Sequence, residues 1–414
     1  MKFFSLLLLC LLEVAQAQTK VNLKQAFEAA LKREPLKRAE LVVEQSKELK
    51  KKVVGTALPQ VALKADYTRQ DASGVTSSTF NRTQRAVGLE LKQSLFQGQR
   101  EFALLDKSNN QIAQSKEALK LTRNELYIEV TSSYLEVLFS ESEVELAREI
   151  ERLSKERVDY LTDRVRKGRS RQSELLSAQA ALSSAKNDLI SLNANLNRNR
   201  KLFSFITGLG QDTKLVSVAS NPSHKDLSYF LNKSTSAPQM SVDKLRVDDS
   251  YADIKVAKAG HWPSVDLKAD YFIDRESVST RGSDWAVTLS FSLPLFESGK
   301  TKADIAQASY AKNIAESNYR YNKEKLETQV KNLYLDYKAT QDQIKSYENT
   351  VELYKKNYIA QQKEYNLSLV NNLEVLQSLN LYTESRSNLN RLKTNAHQLY
   401  YRLLATVGDS LELN

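Results

Sequence analysis

Between Gln99 and Arg166 there is neither proline nor glycine, the two residues that most readily end or weaken a helix. A single α-helix over that stretch is on the order of 100 Å long, at about 1.5 Å per residue. Valines recur in it on a seven-residue beat, Val130, Val137, Val144 and then Val158. The same beat returns as Val330, Tyr337, Ile344, Val351 and Tyr358. Such a beat is coiled-coil packing. A compact domain has no room for helices of this length, so the sequence predicts an elongated molecule. The 414 residues include only 11 Gly and 6 Pro, which extends the helical expectation to most of the chain.

The chain reads as one unit written twice. Leu63-Lys64-Ala65-Asp66-Tyr67 recurs as Leu267-Lys268-Ala269-Asp270-Tyr271, and Pro59 and Pro263 keep the same offset. Leu95-Phe96 returns as Leu295-Phe296, Val130 with Tyr134-Leu135-Glu136 as Val330 with Tyr334-Leu335-Asp336, and Glu174 as Glu374. The expected division is a leader over 1–17, a first repeat over 18–216 and a second over 217–414. Each repeat reads helix, two strands, very long helix, helix. The strand pairs fall at about 58–96 and 263–296. Polar breaks at Arg166-Lys167-Gly168-Arg169-Ser170 and Asn366-Leu367-Ser368, the latter followed by Asn371-Asn372, turn each long helix back on itself.

The strands are predicted from strict alternation. Val61, Leu63, Ala65 and Tyr67 share a face, against Ala62, Lys64, Asp66 and Thr68. Val87, Leu89 and Leu91 oppose Gly88, Glu90 and Lys92. Val265, Leu267, Ala269, Tyr271 and Ile273 oppose Asp266, Lys268, Asp270 and Asp274. Trp285, Val287, Leu289, Phe291 and Leu293 oppose Asp284, Thr288, Ser290 and Ser292. Polar turns are expected around Ser73-Gly74 and Arg281-Gly282. A soluble sandwich would pack the apolar faces together, whereas an outer-membrane barrel would turn them to lipid and the charged faces to water. Lys2, the apolar run from Phe3 to Leu12 and Val14-Ala15-Gln16-Ala17 form an export signal cut after Ala17, which favours the barrel. Four strands cannot enclose an open lumen, and free sheet edges are not tolerated in hydrocarbon. The barrel must then be shared between copies of the chain, and three copies would supply twelve strands.

The sole cysteine, Cys10, falls inside the signal, so no disulfide or cysteine metal site is expected. His224, His261 and His397 show no metal-ligand spacing. Gly299-Lys300-Thr301 imitates the end of a phosphate-binding loop, but Pro294 stands where its earlier glycine belongs. The expectation is therefore no catalytic residue, no metal and no cofactor. The net charge of +10 is compatible with nucleic acid, anionic lipid or an acidic partner. The charges interleave and tyrosines such as Tyr337 and Tyr358 sit at helix-packing spacing, so nucleic acid is not expected. A non-channel periplasmic coiled-coil protein is the alternative reading.

The opening segment Val21-Asn22-Leu23-Lys24-Gln25-Ala26-Phe27-Glu28-Ala29-Ala30-Leu31 with Pro35 resembles the first helix of the TolC-like outer-membrane efflux proteins. Leu58-Pro59-Gln60-Val61, the junction Leu293-Pro294-Leu295-Phe296 with Gly299, and both helix returns resemble them too. The resemblance spans essentially all of residues 18–414. It implies an α+β membrane protein, internally duplicated. Its long helical coiled-coil hairpins form a periplasmic tunnel, and four strands per chain enter a shared 12-stranded barrel of a homotrimer. It implies a passive exit duct for efflux or type I secretion, sited in the outer membrane among its lipid and reaching into the periplasm. The partners implied are a periplasmic adaptor (membrane fusion) protein and an inner-membrane transporter. By matching segments, Tyr365 takes the position of a gate tyrosine, and Ser173 and Glu174 those of a Thr-Asp pair linked to it. Glu374 takes the first place in an acidic ring. Val370 stands where the family has an arginine, and Gln377 where it has a second acid. The returns, at Arg166, Lys167, Gly168 and Arg169 and at Ser368, are the implied adaptor-docking tips.

Overall fold

A computed structural model describes residues 20–69, 83–218, 225–275 and 284–409. The export signal with Cys10, the turns at Ser73-Gly74 and Arg281-Gly282, and His224 lie outside the described residues. The first half runs α1 (Leu23–Ala30), α2 (Glu34–Thr56), β1 (Gln60–Arg69), β2 (Thr83–Gln97), α3 (Arg100–Arg166) and α4 (Gln172–Thr207). The second runs α5 (Leu227–Ser234), α6 (Pro238–Ala259), β3 (Ser264–Arg275), β4 (Trp285–Ser292), α7 (Lys300–Asn366) and α8 (Asn372–Thr406). Both α3 and α7 are unbroken over 67 residues.

Two details depart from the sequence reading. Each half opens with two helices rather than one. Pro35 lacks an amide hydrogen and is tolerated only in the first turn of a helix, so α1 stops short and α2 starts at Glu34. Leu293 is not part of β4, which ends at Ser292. Pro294 cannot donate to a ladder, and the chain leaves the sheet before it.

Contacts divide the chain into two compact units that cut across the halves. Among the described residues, one comprises 20–37, 121–218, 225–237 and 326–409, and the other 38–69, 83–120, 238–275 and 284–325. The first unit is a helical assembly. Leu23, Ala26, Phe27 and Ala30 form the buried stripe of α1, which Asn22 and Gln25 cap reciprocally. They pack on Tyr127, Val130, Tyr134 and Val137 of α3 and on Phe203 and Ile206 of α4. Tyr134 is fully buried, and its hydroxyl donates to the carbonyl of Val216 at 2.5 Å, with that of Val21 3.0 Å away. A second core lies toward the returns, with Leu161, Leu175, Ala178, Tyr358, Tyr365, Val375, Leu379 and Tyr382.

The other unit carries one antiparallel sheet in the order β1-β2-β3-β4. Val61 pairs with Leu91, Leu63 with Leu89 and Ala65 with Val87. The apolar face continues through Leu89–Tyr271 and Leu91–Ala269 to Ala269–Val287 and Tyr271–Trp285. Val61, Leu63, Tyr67, Tyr271, Trp285, Val287 and Leu289 are all more than half exposed. The opposite face is charged. Lys92 stands across from Lys268 and Glu90 across from Asp270, pairings that repel when taken directly. Diagonal contacts resolve them. Glu90, 6% exposed, takes Lys64 at 2.9 Å and Lys92 and Lys268 at 3.1 Å, and Lys268 also reaches Asp270 at 3.1 Å. Removing the shared carboxylate leaves three ammonium groups facing one another. Glu90→Gln is therefore expected to lower the thermal midpoint of the purified protein, and Glu90→Gln with Lys268→Gln to recover part of the loss. An unchanged midpoint in the single variant would show that solvent already screens the cluster.

At the end of β2, Gly98 has φ +63°, and a Cβ there would lie 2.7 Å from the carbonyl oxygen of Ala259. Glycine is required at that junction by both backbone conformation and close approach.

Candidate functional site

The two helix returns belong to the same unit and share a backbone motif. In the first, Gly168 is left-handed at φ +69°, and the amide of Arg169 donates to Arg164 at 2.8 Å. In the second, Ser368 is left-handed at φ +63°, and the amide of Leu369 donates to Glu364 at 2.9 Å. This is the Schellman ending of a helix, which favours glycine at the left-handed residue. Ser368 fills that position at a steric cost that Gly168 does not bear. After the second turn Asn371 caps α8 by accepting from the amides of Leu373 and Glu374 at 2.9 and 3.2 Å.

Between the returns, Tyr365 of α7 reaches Glu174 of α4. The Tyr365 hydroxyl donates to the Glu174 carboxylate at 3.1 Å. Ser170 donates to the same carboxylate oxygen, and its hydroxyl lies 3.3 Å from that of Tyr365. Burial raises the Glu174 pKa, but the Ser170 and Tyr365 hydroxyls and backbone donors outweigh it and hold the carboxyl below its ordinary range. Tyr365 is 4% exposed, and burial pushes its hydroxyl pKa up.

The other side of the Tyr365 ring carries cations from α3. The Arg157 guanidinium lies 3.8 Å from the ring centroid and that of Arg164 5.2 Å. Arg157 Nε donates to Asn372 Oδ1 at 2.8 Å, and Asn372 Nδ2 donates to the backbone carbonyl of Glu174 at 3.3 Å. Asn372 is 1% exposed. Arg157 thus touches α7 and α8 from α3 and reaches α4 through Asn372. Arg164 donates to the Tyr160 hydroxyl at 2.9 Å, and Tyr160 donates to Asn366 at 2.8 Å.

Of the residues expected from sequence, Tyr365 and Glu174 are in direct contact. Ser173 is exposed in the first turn of α4 and takes no part in the contact, where Ser170 supplies the hydroxyl instead. Val370 packs against the core. Glu374 and Gln377 are exposed three residues apart on α8, and Glu374 accepts from Asn371 at 3.1 Å. Arg166 and Lys167 both pair with Asp163 at 2.5 Å, while Arg169 is exposed. The sequence places Ser170 and Asn372 only in the polar breaks and gives Arg157 no role. The only sequence signal for Arg157 is its spacing with Tyr160 and Arg164 along one helical face.

Among the described residues there is no group of His, Cys, Asp and Glu able to hold a metal, and no helix is long and apolar enough to cross a membrane. Long paired helices with a sheet that is apolar on one face and charged on the other define an outer-membrane channel class. The chain belongs to the outer membrane efflux protein family, whose pattern it matches over residues 26–208 and 234–409. Among solved structures, CusC superposes with a TM-score of 0.81 at 17% identity, covering 94% of this chain and 92% of that one. The Campylobacter jejuni CmeC outer membrane channel gives 0.80 at 15% identity, covering 94% and 86%. The Neisseria gonorrhoeae MtrE outer membrane channel, solved in its open state, gives 0.78 at 18% identity, covering 94% and 89%. A search of curated protein sequences returned no match. The protein is thus an outer-membrane efflux protein by family and shares the fold of these channels.

Proposed function

We propose that three copies of this chain close a single twelve-stranded barrel. The trimer is a passive exit duct, fed by an inner-membrane pump through a periplasmic adaptor at the helix returns, and serving efflux or type I secretion. The observation that carries this reading is the four-stranded sheet with β1 and β4 each paired on one side only among the described residues. In hydrocarbon those edges need partners, and further copies of the same sheet supply them without a new interface chemistry. The exposed apolar face suits lipid, and the Lys64–Glu90–Lys268 face suits a wet lumen. At the periplasmic end, the contact of Tyr365 with Glu174, backed by Arg157, latches the two hairpins of one protomer. Glu374, repeated by the trimer, gives a ring of carboxylates at the entrance.

The test is planar-bilayer conductance of detergent-extracted protein, with the oligomer mass measured on the same sample. Conductance steps from a trimer are the expected result. A soluble, non-conducting species would overturn the reading in favour of a structural coiled-coil protein. In the conducting protein, Glu374→Ala is expected to lower the cation-to-anion permeability ratio, because an acidic ring favours cations at a constriction. An unchanged ratio would remove Glu374 from the pore lining.

A further inference from the structure

The two returns differ in chemistry, and the cleft between them has an unbalanced charge. Its volume is about 500 Å³, and Arg164, Arg169 and Arg171 line it together with Glu174, Glu374 and Leu369. Three guanidinium groups therefore face two carboxylates, and both carboxylates are already engaged. Glu174 accepts from Ser170 and Tyr365, and Glu374 accepts from Asn371. Neither makes an ion pair with the arginines. Arg169 and Arg171 are exposed and form no ion pair among the described residues. Arg164 Nε is buried with no hydrogen-bond partner. By contrast, Arg166 and Lys167, which do not line the cleft, share the carboxylate of Asp163. The second return carries no compensating acid at its tip. It presents Leu367, Leu369 and Leu373 at 70, 71 and 70% exposure.

We propose that this cleft is the specificity-determining part of the docking surface. Its occupant is the hairpin tip of a periplasmic protein that bears carboxylate side chains beside aliphatic ones. The inference rests on the returns being docking tips. The carboxylates meet Arg169 and Arg171 in the cleft and bring the missing negative charge to Arg164. The aliphatic side chains cover Leu367 and Leu369, exposed at 70 and 71% in the chain. Arginine is well suited to this, since its planar fork binds a carboxylate through two parallel hydrogen bonds and is only weakly hydrated. Complementary charge also accelerates encounter and rejects tips of the wrong sign.

The probes are three synthetic helical-hairpin peptides, identical except for glutamate, glutamine or lysine at the tip. Binding to the detergent-purified protein is measured by fluorescence anisotropy at low and moderate salt. The glutamate tip is expected to bind about tenfold more tightly than the glutamine tip, with the difference shrinking as salt rises. The lysine tip should bind worst. Arg169→Glu with Arg171→Glu should reverse the ranking of glutamate and lysine, and Leu369→Ser should weaken glutamate and glutamine tips alike. Oligomer mass, read on each variant, establishes that it assembles. The milder Arg169→Gln with Arg171→Gln serves if the reversal does not, and should abolish the preference. Equal binding of all three tips overturns the acidic partner while leaving tip docking intact. A ranking unchanged in the arginine variants, or no binding by any tip, also overturns it. Loss of the trimeric conductance in the wild-type protein would instead overturn the duct reading itself.

Discussion

Arg157→Ala is expected to raise the resting conductance of the reconstituted channel by about tenfold or more. Arg157 is the node of the proposed latch. Its guanidinium stacks 3.8 Å from the Tyr365 centroid, and its Nε donates to Asn372, which is itself sealed from solvent. A partly desolvated cation–π contact contributes roughly 1–2 kcal/mol. A hydrogen bond from a charged donor contributes about 1.5–3 kcal/mol, and its loss strands a buried acceptor. Even if half of that total acts on opening, the equilibrium moves by an order of magnitude, since about 1.4 kcal/mol is a factor of ten. Burial pulls the Arg157 pKa down, but an arginine keeps its charge at every accessible pH. Arg157→Lys should recover little, because an ammonium lacks both the planar stack and the fork. The control is Arg152→Ala, on the same helix, which removes an exposed pair with Glu156 and should leave conductance unchanged. A closed Arg157→Ala channel of normal oligomer mass would show that Tyr365 and Glu174 hold without it.

That Arg157 was invisible in the sequence has a physical reason. Periodicity reports which face of an element is apolar, and it does so without naming the element opposite. Val130, Val137 and Val144 could be placed on a buried stripe because that stripe repeats every seven residues. Val61, Leu63 and Tyr67 could be placed on one sheet face because strand side chains alternate. Glycine and proline mark the first return and a strand-to-helix junction, as at Gly168 and at Pro294 with Gly299. Arg157 and Asn372, by contrast, are 215 residues apart, and only the packing of α3 against α8 brings them together. Read alone, an arginine in a coiled coil is a solvated charge. Ser170 was missed for a smaller reason. Matching by segment favoured Ser173 beside Glu174, but Ser173 sits in the first turn of α4 and faces away. Ser170, in the bend before the helix, turns its hydroxyl onto the carboxylate. The opening helix was read as one because α1 and α2 are separated by only three residues, and Pro35 was not weighed as a helix start.

Acid is expected to open the channel, and Glu174→Gln is expected to hold it open at neutral pH. Ser170 and Tyr365 both donate to one oxygen of the Glu174 carboxylate, and these bonds are strongest while it is ionised. Its pKa lies below the ordinary range, which is about 4.3 for glutamate. A depressed folded-state pKa means that the latch energy is fully present above that ordinary value and is lost as pH falls through the lower, latched one. Conductance should therefore stay flat from neutral pH to about pH 5 and climb below about pH 4. Tyr365 adds no step in this window. Its own pKa is raised, so the hydroxyl remains a donor throughout. The remaining charged neighbours are Arg157, Arg164, Arg169 and Arg171, and Glu374 across the cleft. Glu374 is the one other carboxylate that faces this cleft, so the variant assigns the step. In Glu174→Gln the acid rise should vanish and the neutral-pH conductance should already be high. In Glu374→Ala the rise should persist. The Tyr365→Phe and Glu174→Gln effects should also be less than additive when combined, because each removes the same bond. An acid rise that survives in Glu174→Gln would transfer the switch to another carboxylate and leave the Tyr365 contact a packing feature of the helix returns.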